Sequence, residues 1–157
     1  MHALSRPLLS LLAAVALAIA GAGPAPAQDG LAQDDDIAFA RALSGAEALT
    51  SGQSLPCEAR SADGGRSWPC RFRLTRYVAA TGRITGELTW TGLNSVHEVE
   101  GNLSGGRLTF TETRALRAGG AHLKVTYDLT VGAAQVTGAW RDPADGATGT
   151  MTFRLRR

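Results

Sequence analysis

The chain has 157 residues, and its 16 Lys and Arg nearly balance 14 Asp and Glu. That near neutrality gives no electrostatic reason to expect a nucleic-acid partner. Cys57 and Cys70 are its only cysteines; their spacing fits no zinc motif and no His/Cys cluster adjoins them, so a metal site there is not expected.

Residues 1–27 read as a signal peptide, with Arg6 at the basic start and an apolar run from Leu8 to Ala20. Ala25-Pro26-Ala27 before Gln28 has the small-x-small form of a cleavage site, and Ala20-Gly21-Ala22 offers a second one. The apolar run is short for a spanning helix, so no stable membrane span is expected. The mature chain is expected to be exported, to the periplasm or the extracellular space.

Residues 28–53 form an acidic leader, carrying five acids and only Arg41. A short helix is expected from Asp34 to Leu49, capped by Asp34, Asp35 and Asp36 and carrying Phe39, Leu43 and Ala46 on one stripe. Residues 54–157 hold 14 bases against nine acids, so the leader has the charge to fold back onto this basic domain. A solvated tail is the simpler expectation.

From Ser54 the chain reads as an all-β domain, 54–157, with strands near 54–61, 67–78, 83–90, 96–104, 107–114, 121–131, 134–141 and 148–156. Short turns between them predict antiparallel hairpins. An apolar-x-Gly-x-apolar pattern recurs at Ile84–Leu88, Val99–Leu103, Val136–Trp140 and Ala147–Met151. Its period of two marks one strand face, and glycine among inward positions implies tight curvature or a ring needing space. The expected fold is a small antiparallel up-and-down β-barrel of about eight strands.

Turn positions fix the registers. A Gly105-Gly106 turn sets Leu103 across from Leu108, Gly101 across from Phe110 and Val99 across from Glu112. A Gly132-Ala133 turn sets Leu129 across from Val136, Tyr127 across from Gly138 and Val125 across from Trp140. An Asp63-Gly64 turn sets Cys57 across from Cys70, a disulfide that should contribute about 3 kcal/mol in the chain-entropy model. Pro56 and Pro69 donate no N–H, so this first hairpin is expected to be edge-like.

Alternating inward parity sends Trp68, Phe72, Trp90, His97, Glu112, Arg114 and Trp140 toward one mouth of the barrel, the candidate ligand-binding set. Aromatic walls would supply contact area, and the His97/Glu112/Arg114 trio would orient a ligand or hold an anionic group. In a plugged barrel the same residues would only satisfy one another. Arg76 also falls on the inward parity, as a plug at the opposite end or as the mark of a bulge; the plug is the expectation. Asp142, Asp145 and Gly146 read as an ordinary turn. No Gly-x-Ser-x-Gly elbow, phosphate-binding loop or His-Glu-x-x-His helix is present, so no catalytic residue, metal or cofactor is assigned.

Ile84-Thr-Gly86-Glu-Leu88 and Val136-Thr-Gly138-Ala-Trp140 resemble strands of avidin-like and lipocalin-like barrels, a likeness covering most of residues 67–156. It implies a cup-shaped fold. No ordered polar set matches the biotin contacts, and the N-terminal Gly-x-Trp of lipocalins is not in place, so the resemblance assigns no ligand. The function expected from the sequence is a non-enzymatic binding module taking a small amphipathic or aromatic ligand. The alternative is a protein-interaction module, such as an inhibitor or envelope accessory factor, with a filled core and an exported protein partner.

Overall fold

The structure is a computed structural model that describes residues 45–50 and 52–155. The expected signal peptide, most of the acidic leader and the start of its helix lie outside the described residues. Eight strands form a closed antiparallel barrel in sequence order: β1 Leu55–Ser61, β2 Ser67–Val78, β3 Arg83–Trp90, β4 Ser95–Ser104, β5 Arg107–Arg117, β6 Thr126–Val131, β7 Gln135–Arg141 and β8 Thr148–Arg154. Alternation drives the closure. Along β3 and the first half of β5, every second side chain is buried, which gives the sheet one apolar face to wrap around.

The β4–β5 hairpin has the expected register, with Leu103 across from Leu108, Gly101 across from Phe110 and Val99 across from Glu112. A Cβ at Gly101 would fall 1.9 Å from the Thr109 carbonyl oxygen and 2.6 Å from the Phe110 Cα. The strands therefore approach there more closely than any side-chain-bearing residue permits, and this sharpens the coil of the small barrel. Cys57 also faces Cys70 as expected, and the two form a disulfide with a Cα separation of 4.8 Å.

Four expectations need correction. The first hairpin is no edge, because β1 pairs with β8 as well as β2; Pro56 lies just outside the β1–β8 ladder, where a missing N–H costs no bond. The β6–β7 register is shifted by two: Leu129 lies across from Gly138 and Tyr127 across from Trp140. The cause is a longer turn, in which the Gly132 N–H donates to the Gln135 carbonyl. A two-residue shift keeps every side chain on its expected face. β6 begins at Thr126 and not near 121, because the segment before it breaks the ladder at Lys124, whose φ is +67°. Finally, β2 bulges between Leu74 and Arg76, which turns Arg76 out to solvent and not into the barrel.

The interior is filled at one end and open at the other. A column of rings runs through the middle: Phe153 stacks on Phe72 at 4.8 Å, Phe72 meets Phe110 at 5.2 Å, and Phe110 stacks on Tyr127 at 4.3 Å. Residues 45–50 are helical and close the end where β6 turns into β7. Leu49 is fully buried there, and a Cβ on Gly45 would lie 2.4 Å from the Gly132 carbonyl oxygen. The described end of the leader thus packs on the barrel, opposite the tryptophan-bearing mouth, while its aspartates lie outside the described residues. No helix among the described residues is long and apolar enough to cross a membrane.

Candidate functional site

The other end holds a cavity of about 500 Å³. Trp68, Trp90, Trp140 and Glu112, four of the seven residues expected at this mouth, line it. Trp68 packs edge-on against Trp140, with ring centroids 5.9 Å apart and planes at 83°. The Trp140 indole N–H donates to the Arg60 carbonyl at 3.1 Å, fixing that ring across the β1–β8 seam. Directly across from Trp140 is Gly149, where a Cβ would lie 2.6 Å from the indole nitrogen. The last of the four patterned glycines therefore shapes the cavity wall.

The remaining three expected residues are elsewhere. Phe72 is fully buried in the ring column beneath the cavity. His97 is buried behind Glu112 and does not line the cavity. Arg114 is a correction, because β5 bulges between its pairings with Val99 and Glu98: Glu112 lies across from Val99, but Arg114 lies across from Glu98. The extra residue turns Arg114 outward, where its exposed guanidinium donates to the half-buried Glu98 carboxylate at 2.6 Å.

Glu112 is completely buried, and three side chains converge on it. Its Oε2 accepts the Trp90 indole N–H at 3.4 Å and meets His97 Nδ1, while its Oε1 accepts the Tyr127 hydroxyl. No buried side-chain nitrogen or oxygen among the described residues lacks a hydrogen-bond partner. Burial, reinforced by the neighbouring Glu112 carboxylate and its hydrogen bond, pushes the Tyr127 phenol well above its usual range, so it stays a donor. The floor of the cavity is thus a fixed polar cluster set among rings.

No family model, curated protein or solved structure matches the chain. Geometry alone therefore defines the site.

Around the rim, Asp63 and Arg66 come from the loop after β1, His122 from the loop after β5, and Asp142 and Asp145 from the loop after β7. Hydrogen bonds from the Ser61 hydroxyl and the Gly65 N–H hold the Asp63 carboxyl below the usual range. His122 Nδ1 lies 2.6 Å from Asp142 Oδ2, and that hydrogen bond and charge raise the imidazole above its ordinary value. Donor atoms of His122, Asp142 and Asp145 lie within 4.8 Å of one another. One oxygen of each aspartate is occupied, however: Asp142 Oδ1 accepts the Ala144 N–H and Asp145 Oδ1 the Ala147 N–H, both at 2.8 Å. These bonds are those of an ordinary Asx-capped turn.

Tyr127 is the functional-looking residue that strand parity alone does not place at the mouth. Its signal lies in the register: with the longer β6–β7 turn, Tyr127 falls beside Trp140 on one side and Phe110 on the other. The rim carboxylates sit in loops, where no periodicity indicates which way a side chain points.

Proposed function

We propose that this protein is an exported, secreted or periplasmic, non-enzymatic binding module whose cup-shaped barrel takes a small amphipathic or aromatic ligand at the tryptophan-lined mouth. The observation that carries this reading is the cavity itself: about 500 Å³ walled by Trp68, Trp90, Trp140 and Tyr127 above a buried carboxylate. That volume lies within the usual range for small-molecule sites, and such sites pair apolar walls with a few fixed polar groups. The architecture fits the same reading, since small closed barrels commonly hold a ligand at one mouth, as the likeness to avidin-like and lipocalin-like strands implies. The Cys57–Cys70 disulfide is compatible with an oxidising, exported location.

Native mass spectrometry and tryptophan quenching against extract metabolites test the proposal. A retained or quenching ligand is expected, with affinity about tenfold weaker in Trp90→Ala and in Trp140→Ala. Quenching that persists unchanged in both variants, with circular dichroism showing folded barrels, removes this site.

A further inference from the structure

The charges around the cavity are lopsided. Asp63, Glu112, Asp142 and Asp145 line it, against one arginine, Arg66, and one histidine, His122. The cation that the sequence parity aimed inward, Arg114, is outside and paired with Glu98. An anionic ligand head would therefore meet a mostly carboxylate rim, above a floor where the buried Glu112 is paired with His97. A positive head meets the reverse: acids around it and the faces and edges of three indoles and a phenol within the same small volume. Aromatic rings attract cations through their quadrupoles, most strongly where water is excluded. Glu112 is fully buried and already held by Trp90, His97 and Tyr127, so it acts on a ligand through its field and not by direct contact.

We propose that the cavity selects a cationic amphipathic molecule, an aromatic amine or quaternary ammonium, with its apolar body among the tryptophans and its charge toward Glu112 and the rim aspartates. This inference rests on the ligand-binding reading above and adds the sign of the charge. It replaces the anion-holding role that the sequence suggested for the His97/Glu112/Arg114 trio.

Three probes of similar shape test it on the folded, disulfide-bonded protein: phenyltrimethylammonium, its neutral isostere tert-butylbenzene, and benzenesulfonate. Tryptophan quenching should show the cation binding about tenfold or more tighter than the neutral isostere, with the anion weakest. Glu112→Gln should remove most of the cation's advantage and leave the neutral probe unchanged. Should that variant fail to fold, Asp63→Asn with Asp145→Asn supplies the second test, because asparagine keeps the oxygen that caps each turn. The double variant should weaken the cation about threefold and spare the neutral probe. Equal binding of cation and neutral isostere, or equal loss of both in the variants, overturns the charge selection while leaving a ligand cavity in place. Silence of all three probes at millimolar concentration also overturns it, and the metabolite screen then decides separately whether the cavity binds anything.

Discussion

The Tyr127 hydroxyl on β6 donates to the Glu112 carboxylate on the neighbouring β5, and both side chains are buried at the floor of the open end of the barrel. The pair joins the two halves of the interior. Below it the stacked rings of Phe110, Phe72 and Phe153 fill the barrel, and above it the tryptophans leave space. Because His97 and Trp90 meet the same carboxylate, the boundary between packed core and cavity is set by one acidic residue with three partners.

The first prediction concerns that phenol. Burial and Glu112 raise its folded pKa above the ordinary 10.0. The resulting stability is fully present below the unfolded value and is lost as pH rises from there through the folded value. In a Tyr77→Phe background Tyr127 is the only tyrosine. Tyrosinate absorbance should then appear only as the barrel unfolds at high pH. A rise near pH 10 with the circular dichroism of the folded protein intact would show that Tyr127 is not held as described.

Glu112 itself should be the most sensitive polar position. Alanine there leaves the buried Trp90 N–H, the Tyr127 hydroxyl and His97 without the acceptor they share. The expected cost is about 3–5 kcal/mol. Glutamine keeps one carbonyl oxygen and should cost less, about 1–3 kcal/mol. Urea denaturation measures both; a loss below 1 kcal/mol for alanine would mean that the cluster contributes little to holding the barrel together.

Most of the barrel was legible in the chain because its information is written in a period of two. Leu103, Gly101 and Val99 found their partners, since the Gly105-Gly106 turn allows one compact register. The β6–β7 hairpin slipped by two residues and still kept Tyr127, Leu129 and Trp140 inside, because parity survives an even shift. Bulges are odd shifts and leave no such trace. One reversed Arg76 and another reversed Arg114, and with the second went the anion-holding trio. His122 and Asp142 were harder still: they meet across two loops whose shape is set by turn hydrogen bonds, not by alternation.

Gly149 provides a prediction that links the repeated glycine pattern to the cavity. A Cβ there would fall 1.8 Å from the Arg60 carbonyl oxygen, the same atom that accepts the Trp140 indole N–H. Backbone cannot move aside as a flexible side-chain tip can, so Gly149→Ala should push β8 from β1 and release the indole. The expected destabilisation is about 2–3 kcal/mol, with a red shift in Trp140 emission. Gly92→Ala is the control, because nothing lies within 4 Å of its added methyl and its φ is not in the left-handed region; it should stay within about 0.5 kcal/mol. Equal effects from the two substitutions would remove the packing role assigned to Gly149.

The rim offers the last prediction, and its sign comes from one pair. The hydrogen bond to Asp142, and then its charge, raise the His122 pKa above 6.5, with a smaller push from Asp145. Protonated His122 ties the loop after β5 to the loop after β7, although its side chain is 54% exposed and salt will weaken the pair. Its stabilising effect is therefore complete below the unfolded value near 6.5 and fades as pH rises through the higher folded value. Nuclear magnetic resonance titration of the imidazole should show the raised value in the parent protein and a fall toward 6.5 in Asp142→Asn. In parallel, the stability difference between the parent and His122→Gln should shrink as pH climbs through the folded value and should level off below pH 6.5. A difference that grows with pH would reverse this sign and would mean that the neutral imidazole, not the charged one, holds the two loops together.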